Sequence, residues 1–333
     1  VIWKPASSAV YVAYHIMRIF EAAGLPPGVI NFLPGDGSVV GEPVLAHPDL
    51  AGVHFTGSTS VFQGIWQKVG RSIAGYHSYP RIVGETGGKG FIFAHASADV
   101  PALRTALVRG AFEYQGQKCS AASRAYIPDS IWPQVRDGLL ADLASVSVGD
   151  VSDPASFMGA VIDAGAFAKI ADYIELARSS PDTEILSGGR CNSDQGFFIE
   201  PTVVLTTDPR HRLMEEEIFG PVLTVYVYPE EEFEETLYLC DTTSPYGLTG
   251  AIFAQDRRII QRGLEFLRHA AGNFYINDKP TGAVVGLQPF GGGRASGTND
   301  KAGSPLNLER WVTPRTIKES FCPPVDYRYP YMG

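Results

Sequence analysis

Short apolar segments alternate with stretches of helical period along most of this chain, and that alternation limits the possible folds more than any other feature. Val1-Ile2-Trp3 reads as a strand and Lys4-Pro5-Ala6-Ser7-Ser8 as a turn and cap. Val10, Tyr14, Met17 and Phe20 then recur at helical spacing up to Gly24 and Pro26-Pro27. Val29 to Leu33 forms a second strand, Pro34-Gly35-Asp36-Gly37 a turn and Ser38 to Ala46 a helix. Gly52 to Phe55 leads through Thr56-Gly57-Ser58-Thr59 into a helix from Ser60 to Val69, and Arg81 to Val83 is a further strand. Strands and helices joined by short connections imply a parallel sheet with helices on its faces, an α/β fold.

Two motifs frame the centre of the chain. Gly84-Glu85-Thr86-Gly87-Gly88-Lys89 opens it, and Gly116-Gln117-Lys118-Cys119-Ser120 follows after one strand (Phe91 to Ala94) and one helix (Asp99 to Tyr114, with Leu103, Leu107 and Ala111 on one face). A Cys is a strong nucleophile only as thiolate, and a nearby carboxylate can serve as base for the thiol or for a water. Gly87-Gly88 lets backbone pass close to a ligand. A buried inert Cys with a surface Glu would satisfy the same spacing. The thiol follows a helix instead of starting one, so its activation falls to its neighbours.

The Thr56-Gly57-Ser58-Thr59 turn can present N–H groups and a hydroxyl to a phosphate at the positive end of a helix, or act as a plain N-cap. Gly35 to Gly41 misses the dinucleotide fingerprint by one residue between its last glycines and is read as a turn.

Composition narrows the function classes. The 333 residues suffice for two domains; 44% are hydrophobic and 19% charged, as in ordinary globular chains. A net charge of −9 without any basic run argues against nucleic acid, and no uncharged apolar run is long enough for a membrane span. Cys119, Cys191, Cys240 and Cys322 form no C-x-x-C pair and no metal-ligand cluster with the seven histidines, which fits a reducing compartment and no metal. The opening Val1 inside a strand reads as a truncated start, with any targeting segment upstream.

Further on, strand Arg124 to Ile127, helices Ile131 to Leu143 and Ala166 to Ala177, and strands Phe197 to Val204 and Val222 to Tyr226 continue the α/β pattern. Glu216-Glu217-Ile218-Phe219-Gly220-Pro221 interrupts it as a loop. Glu230 to Glu235 starts a helix, Ile252-Phe253 belongs to a strand, Arg257 to Ala271 is a helix and Asn273 to Asn277 a strand. Lys279 to Gly286 and Gln288-Pro289-Phe290-Gly291-Gly292 make a glycine-rich loop able to turn N–H groups onto a carboxylate.

Glu85-Thr86-Gly87-Gly88-Lys89 with Cys119 in Gly-Gln-Lys-Cys-Ser resembles the catalytic pair of the aldehyde dehydrogenase superfamily, and further matches run through the chain in family order. The resemblance implies a partial Rossmann-type NAD-binding domain, an α/β catalytic domain and a C-terminal oligomerisation strand. Residues 1–87 would be the C-terminal half of the first, 88–305 the second, and 306–333 the strand, within Asn307 to Lys318, and a tail. It makes Cys119 the nucleophile and Glu85 the base. It places Lys4 on the adenosine ribose, Gly57 and Ser58 at the pyrophosphate, Val61 near the adenine, Glu217 on the nicotinamide ribose and Phe219 beside the ring.

Relatives that carry a Glu three residues after the lysine use it on the ribose hydroxyls; Ser7 stands there, so NAD is expected with NADP tolerated. The Asn277-Asp278-Lys279 and Thr281-Gly282-Ala283 segments, with Ala295 to Lys301, resemble the branch that oxidises L-glutamate gamma-semialdehyde. In it Ser120, Gly282 and Ala283 would grip the substrate carboxylate and Phe290 would pack on its aliphatic part. That branch implies a small-molecule substrate, a role in proline catabolism, a homodimer or higher oligomer, and the mitochondrial matrix, or the cytoplasm in a bacterium. The superfamily's second oxyanion donor, an Asn, lies upstream of Lys4, so this stretch alone is expected to be a weak catalyst. A truncated non-catalytic form acting by subunit pairing, and an aldehyde dehydrogenase of other specificity, are the rival readings.

Overall fold

The computed structural model describes all 333 residues, Val1–Gly333. In the N-terminal part, strand β1 (Ile2–Trp3), helix α1 (Val10–Ala22) and strand β2 (Asn31–Phe32) make one parallel unit. After helix α2 (Gly37–Ala46), strand β3 (Gly52–Thr56), helix α3 (Thr59–Arg71) and strand β4 (Arg81–Glu85) make another. Asp36 caps α2 by accepting the Ser38 N–H at 2.8 Å. The two strand pairs share no ladder, so the parallel sheet expected here is split into two ribbons. The second is packed through side chains: Phe62, Val69 and Ile82 are buried, with Leu45 of α2 against them. The apolar stripe expected on α1 is formed, but only Ala13 of that helix is buried.

The chain changes sheet over Thr86–Lys89. From β5 (Gly90–Ala94) onward it builds a seven-stranded sheet with α4 (Val100–Phe112), β6 (Ala122–Pro128), α5 (Trp132–Ala144), α6 (Ala164–Ser179) and β7 (Thr183–Ser187). A two-residue hairpin, β8 (Cys191–Asn192) and β9 (Phe198–Ile199), precedes β10 (Thr202–Thr206), the short helix α7 (Arg212–Glu215) and β11 (Val222–Tyr228). Then come α8 (Phe233–Thr242), β12 (Tyr246–Gly247), β13 (Thr249–Phe253), α9 (Arg257–Phe266), β14 (Asn273–Ile276) and β15 (Gly293–Arg294). The strand order is β14-β13-β5-β6-β11-β10-β7, parallel throughout except for β7, which runs antiparallel to β10 at the edge. β12 and β15 form a separate antiparallel clip.

Strand β5 shows why the layers form. Its alternate side chains enter two cores: Ile92 and Ala94 join Leu103 and Leu107 of α4 and Val135 and Leu139 of α5, while Phe91 and Phe93 join Leu237 and Cys240 of α8. Both faces are therefore dry, as a central parallel strand requires. Each Leu, Ile, Val or Phe among them contributes about 1.5–3 kcal/mol of burial.

Several expectations need correcting. The single strand expected over Phe197 to Val204 is broken between β9 and β10, where Pro201 cannot donate to a ladder. The edge strand β7 was not foreseen, and α9 stops at Phe266 instead of Ala271. In the segment expected to pair subunits, Asn307 to Lys318, the start belongs to a short helix, α10 (Pro305–Glu309), and residues 310–318 join no ladder within this one chain. A strand requires a partner edge, and this segment instead lies across β3 and β4, where Arg81 donates to Thr313 Oγ1 at 3.0 Å and Trp311 packs near His54.

Candidate active site

The turn that carries the thiol is built by an unusual run of backbone. After α4, Tyr114, Gln115 and Gly116 all have φ near +60°. For Tyr and Gln this conformation costs about 1–2 kcal/mol each. The Gln115 side chain offsets that cost by donating to the Ala160 carbonyl at 3.0 Å and accepting the Gly159 N–H at 3.2 Å. At Gly116 a side chain would collide with the Gly220 carbonyl, so only glycine fits there. The helix therefore ends at Phe112, and the reversed chain sets Cys119 on the wall of a cavity of about 890 Å³.

Strand β4 delivers Glu85 as its last residue, paired with Thr56 of β3. Glu85 is buried, and its Oε2 has no hydrogen-bond partner. The segment Ala295 to Thr298 closes over it: Thr86 donates to the Ser296 carbonyl at 2.9 Å, and Gly84 N–H donates to Thr298 Oγ1 at 3.0 Å. Thr86 and Gly87 line the cavity, whereas Glu85 stands one residue behind that wall. Gly88 lets the two segments meet, since a side chain there would overlap the Cys119 carbonyl.

Burial pushes the Glu85 carboxyl up to about 7, with Lys301 opposing and Asp300 assisting. The Cys119 thiol is pushed up to about 11, first by burial and then by the charges of Glu85 and Glu217; the N–H groups of Cys119 and Ser120 pull the other way. Glu85 thus acts electrostatically on the sulfur. In this arrangement the sulfur keeps its proton at neutral pH, and the carboxyl is poised to exchange one near pH 7.

Glu217 and Phe219 reach the cavity from the loop before β11. Glu217 Oε1 accepts the Gly88 N–H at 2.8 Å, and burial raises its carboxyl above the usual carboxylate range. Phe219 is 39% exposed and has φ +61°, a strained conformation for an aromatic residue. Gly57 and Ser58 line the same cavity, and Ser58 Oγ accepts the Val61 N–H at 3.4 Å as a long N-cap bond of α3. The Gly57 N–H is engaged by the Glu85 carbonyl at 3.2 Å and is not free for an anion. Two further candidates lie off this wall. Lys4 donates to the Pro5 and Gly35 carbonyls at 2.6 and 3.3 Å, and Val61 is half exposed in the first turn of α3.

The wall also holds Ser120, Gly282, Ala283 and Phe290. Gly282 has φ +90°, a conformation that suits glycine and brings the loop round beside Cys119. Ser120 Oγ lies 2.7 Å from Thr281 Oγ1, and both residues are buried. Reading by motif missed Thr281 as a tether; its only local signal is a hydroxyl placed between Pro280 and Gly282. It also missed Lys169, which lines the cavity and donates to the Glu217 carbonyl at 2.9 Å.

One cavity therefore carries a thiol, a buried carboxyl behind its wall, an acidic loop and a glycine-rich loop. The chain is 58% identical over 334 aligned positions to a mitochondrial delta-1-pyrroline-5-carboxylate dehydrogenase of Dictyostelium discoideum, covering all of this chain and 60% of that protein. It is 50% identical to the human protein of the same name, again over the whole chain and 59% of the relative. Among solved structures, the delta-pyrroline-5-carboxylate dehydrogenase of Mycobacterium tuberculosis bound with NAD superposes with a TM-score of 0.94 at 55% identity, over all of this chain and 61% of that one. The chain thus spans about 60% of the length of the curated relatives it matches. A family model described as the aldehyde dehydrogenase family matches residues 1–317, and with the thiol, carboxyl and loops in place the chain belongs to that family.

Proposed function

We propose that these residues form the greater part of an NAD-dependent dehydrogenase that oxidises L-glutamate gamma-semialdehyde to L-glutamate, a step of proline catabolism. The observation that carries this reading is that one cavity wall brings Cys119 together with Ser120, Gly282 and Ala283 of the thiol turn and glycine-rich loop and with Glu217 of the acidic loop. Two of the similar proteins carry this dehydrogenase's name, and the tuberculosis enzyme was solved with NAD.

The residues present fit the dinucleotide: the α3 N-terminus and Ser58 suit a phosphate, and Glu217 Oε2, facing Gly87, suits a ribose hydroxyl. NAD, when bound, supplies the two-electron acceptor for the aldehyde carbon. The protein's own part begins when the Cys119 thiol gives up its proton to water in the cavity; the minor thiolate form of Sγ attacks that carbon, and the oxygen's growing negative charge settles toward the Cys119 N–H. The Ser120 hydroxyl and the 281–283 loop hold the far carboxylate so that the carbonyl meets the sulfur. Once the carbon is at the acyl level, Glu85 takes a proton from water, the water oxygen attacks the thioester, and the carbon–sulfur bond breaks to return the thiolate. Phe290 supplies an apolar wall for the methylenes. Ser7, where an acid would repel a 2′-phosphate, leaves NADP tolerated.

The names of the relatives support a mitochondrial matrix location. Val312 and Ile317, exposed on a segment without a ladder, support pairing with a second copy.

The test is NADH formation with glutamate semialdehyde and with propanal. Cys119→Ala is expected to abolish it, and Glu85→Gln to give a burst of about one equivalent followed by arrest. Equal kcat/KM for the two aldehydes overturns the substrate, and sustained turnover by Glu85→Gln overturns the base.

A further inference from the structure

Strain and hydrogen bonding converge on one lysine in the segment that closes over Glu85. Lys301 has φ +52°, and Asn299 two residues earlier has φ +56°, so two non-glycine residues hold left-handed backbone in one short turn. The Lys301 ammonium reaches inward and donates to the Gly272 carbonyl at 2.8 Å and the Gly291 carbonyl at 2.9 Å. Gly291 is the residue against which the Glu85 carboxyl lies: a Cβ added there would sit 2.8 Å from Glu85 Oε1. The same turn is tied to β4 itself, because Gly297 bridges Glu85 and Thr298 N–H donates to the Gly84 carbonyl at 2.9 Å.

The charges around Glu85 are few. From this turn come Lys301 and Asp300, the latter paired with Arg310 at 3.0 Å and bonded to Thr298 Oγ1. From the thiol turn comes Cys119. The facing residues of β3 and α3, Thr56 and Phe62, carry no charge. Lys301 is thus the cation that offsets the burial of Glu85, and its two carbonyl bonds hold it in a left-handed backbone position that costs about 1–2 kcal/mol.

We propose that Lys301 is a positioning residue for Glu85: by clamping the Gly272 and Gly291 carbonyls it fixes the wall on which the carboxyl rests, and it sets one cation behind that carboxyl. Asp300, next in the chain, is the counterweight. Together the two residues set the pH at which Glu85 can accept a proton, and this inference rests on the deacylation role given to Glu85 above.

The test reads the carboxyl directly. The infrared spectrum of the protein minus that of its Glu85→Gln variant reports the protonated carboxyl of Glu85, and its midpoint is followed against pH with no turnover required. Lys301→Gln keeps donors for both carbonyls but removes the charge, and is expected to raise the midpoint by about one pH unit. Lys301→Arg keeps the cation and is expected to hold it. Asp300→Asn is expected to lower it, which gives an independent reading should Lys301→Gln fail to fold. A midpoint that stays put in Lys301→Gln, or in Asp300→Asn where the other does not fold, overturns the proposal. Where the midpoint moves as expected but the pH profile of thioester hydrolysis does not follow it, the positioning role stands and the base assignment falls.

Discussion

Ser120 and Thr281, 161 positions apart in the chain, share a buried hydroxyl–hydroxyl hydrogen bond of 2.7 Å between the thiol turn and the glycine-rich loop. The Ser120 carbonyl is held in turn by Thr249 Oγ1 of β13 at 3.1 Å. The loop that closes the cavity is thereby tied to the residue after the nucleophile. Thr281→Val keeps the shape but leaves the Ser120 hydroxyl buried without its partner, which costs about 1–3 kcal/mol. Most of that cost should fall on substrate binding, so KM for glutamate semialdehyde is expected to rise about tenfold with a smaller change in kcat. Thr281→Ser should restore most of it. Equal kinetics for Thr281→Val and the unaltered protein would show that the tether has no part in binding.

The thiol makes a second prediction. With Cys119 pushed up to about 11, alkylation by iodoacetamide should quicken about tenfold per pH unit from about pH 7 to pH 10, without a plateau in that range. Glu217→Gln removes a negative charge that disfavours the thiolate, so the whole curve should move to lower pH. Cys119→Ala, with Cys322 still exposed, gives the background rate. A plateau reached by about pH 8 would mean that the sulfur is already ionised and that the neighbouring acids do not govern it.

Motif and period carried much of this molecule, and the exceptions have physical reasons. β5 and α4 were legible because each has a simple apolar rhythm that ends in two packed cores. Cys119, Ser120, Glu217 and Gly282 were legible as motifs, and the cavity wall holds all four. The left-handed run at Tyr114 and Gln115 was not, because nothing local favours it; side-chain bonds to residues 159 and 160 hold it in place. Lys301 was hidden for a similar reason, since its partners lie 29 and 10 positions away and are plain carbonyls. Asn307 to Lys318 alternates well enough for a strand, yet alternation specifies only a face, and a ladder also needs an edge to join.

Phe219 combines strain with exposure. Its φ of +61° costs about 1–2 kcal/mol, and the partly buried ring, 39% exposed, returns an amount of the same order. Phe219→Gly should therefore leave stability to urea unchanged to within about 1 kcal/mol. The same change removes the ring from the cavity wall and should weaken NAD binding measured by fluorescence titration. A variant that loses both stability and affinity would show that the ring is a packing element and not one kept strained for its ligand.

Glu85 should leave its mark on the pH dependence of folding. Its carboxyl is raised from 4.5 to about 7 by burial, so the folded state holds a proton that the unfolded chain gives up. The stabilisation linked to that proton is fully present below the unfolded value and is lost as pH rises through the folded one. Between about pH 4 and pH 8 this single group should remove about 3 kcal/mol from the unfolding free energy. Glu85→Gln carries no ionisable proton and escapes the loss. The two proteins should therefore unfold at similar urea concentrations near pH 4, while near pH 8 the variant should be the more stable. If the difference between them is the same at both pH values, the carboxyl is not titrating in the folded state near neutrality, and its poise as a base for water fails with it.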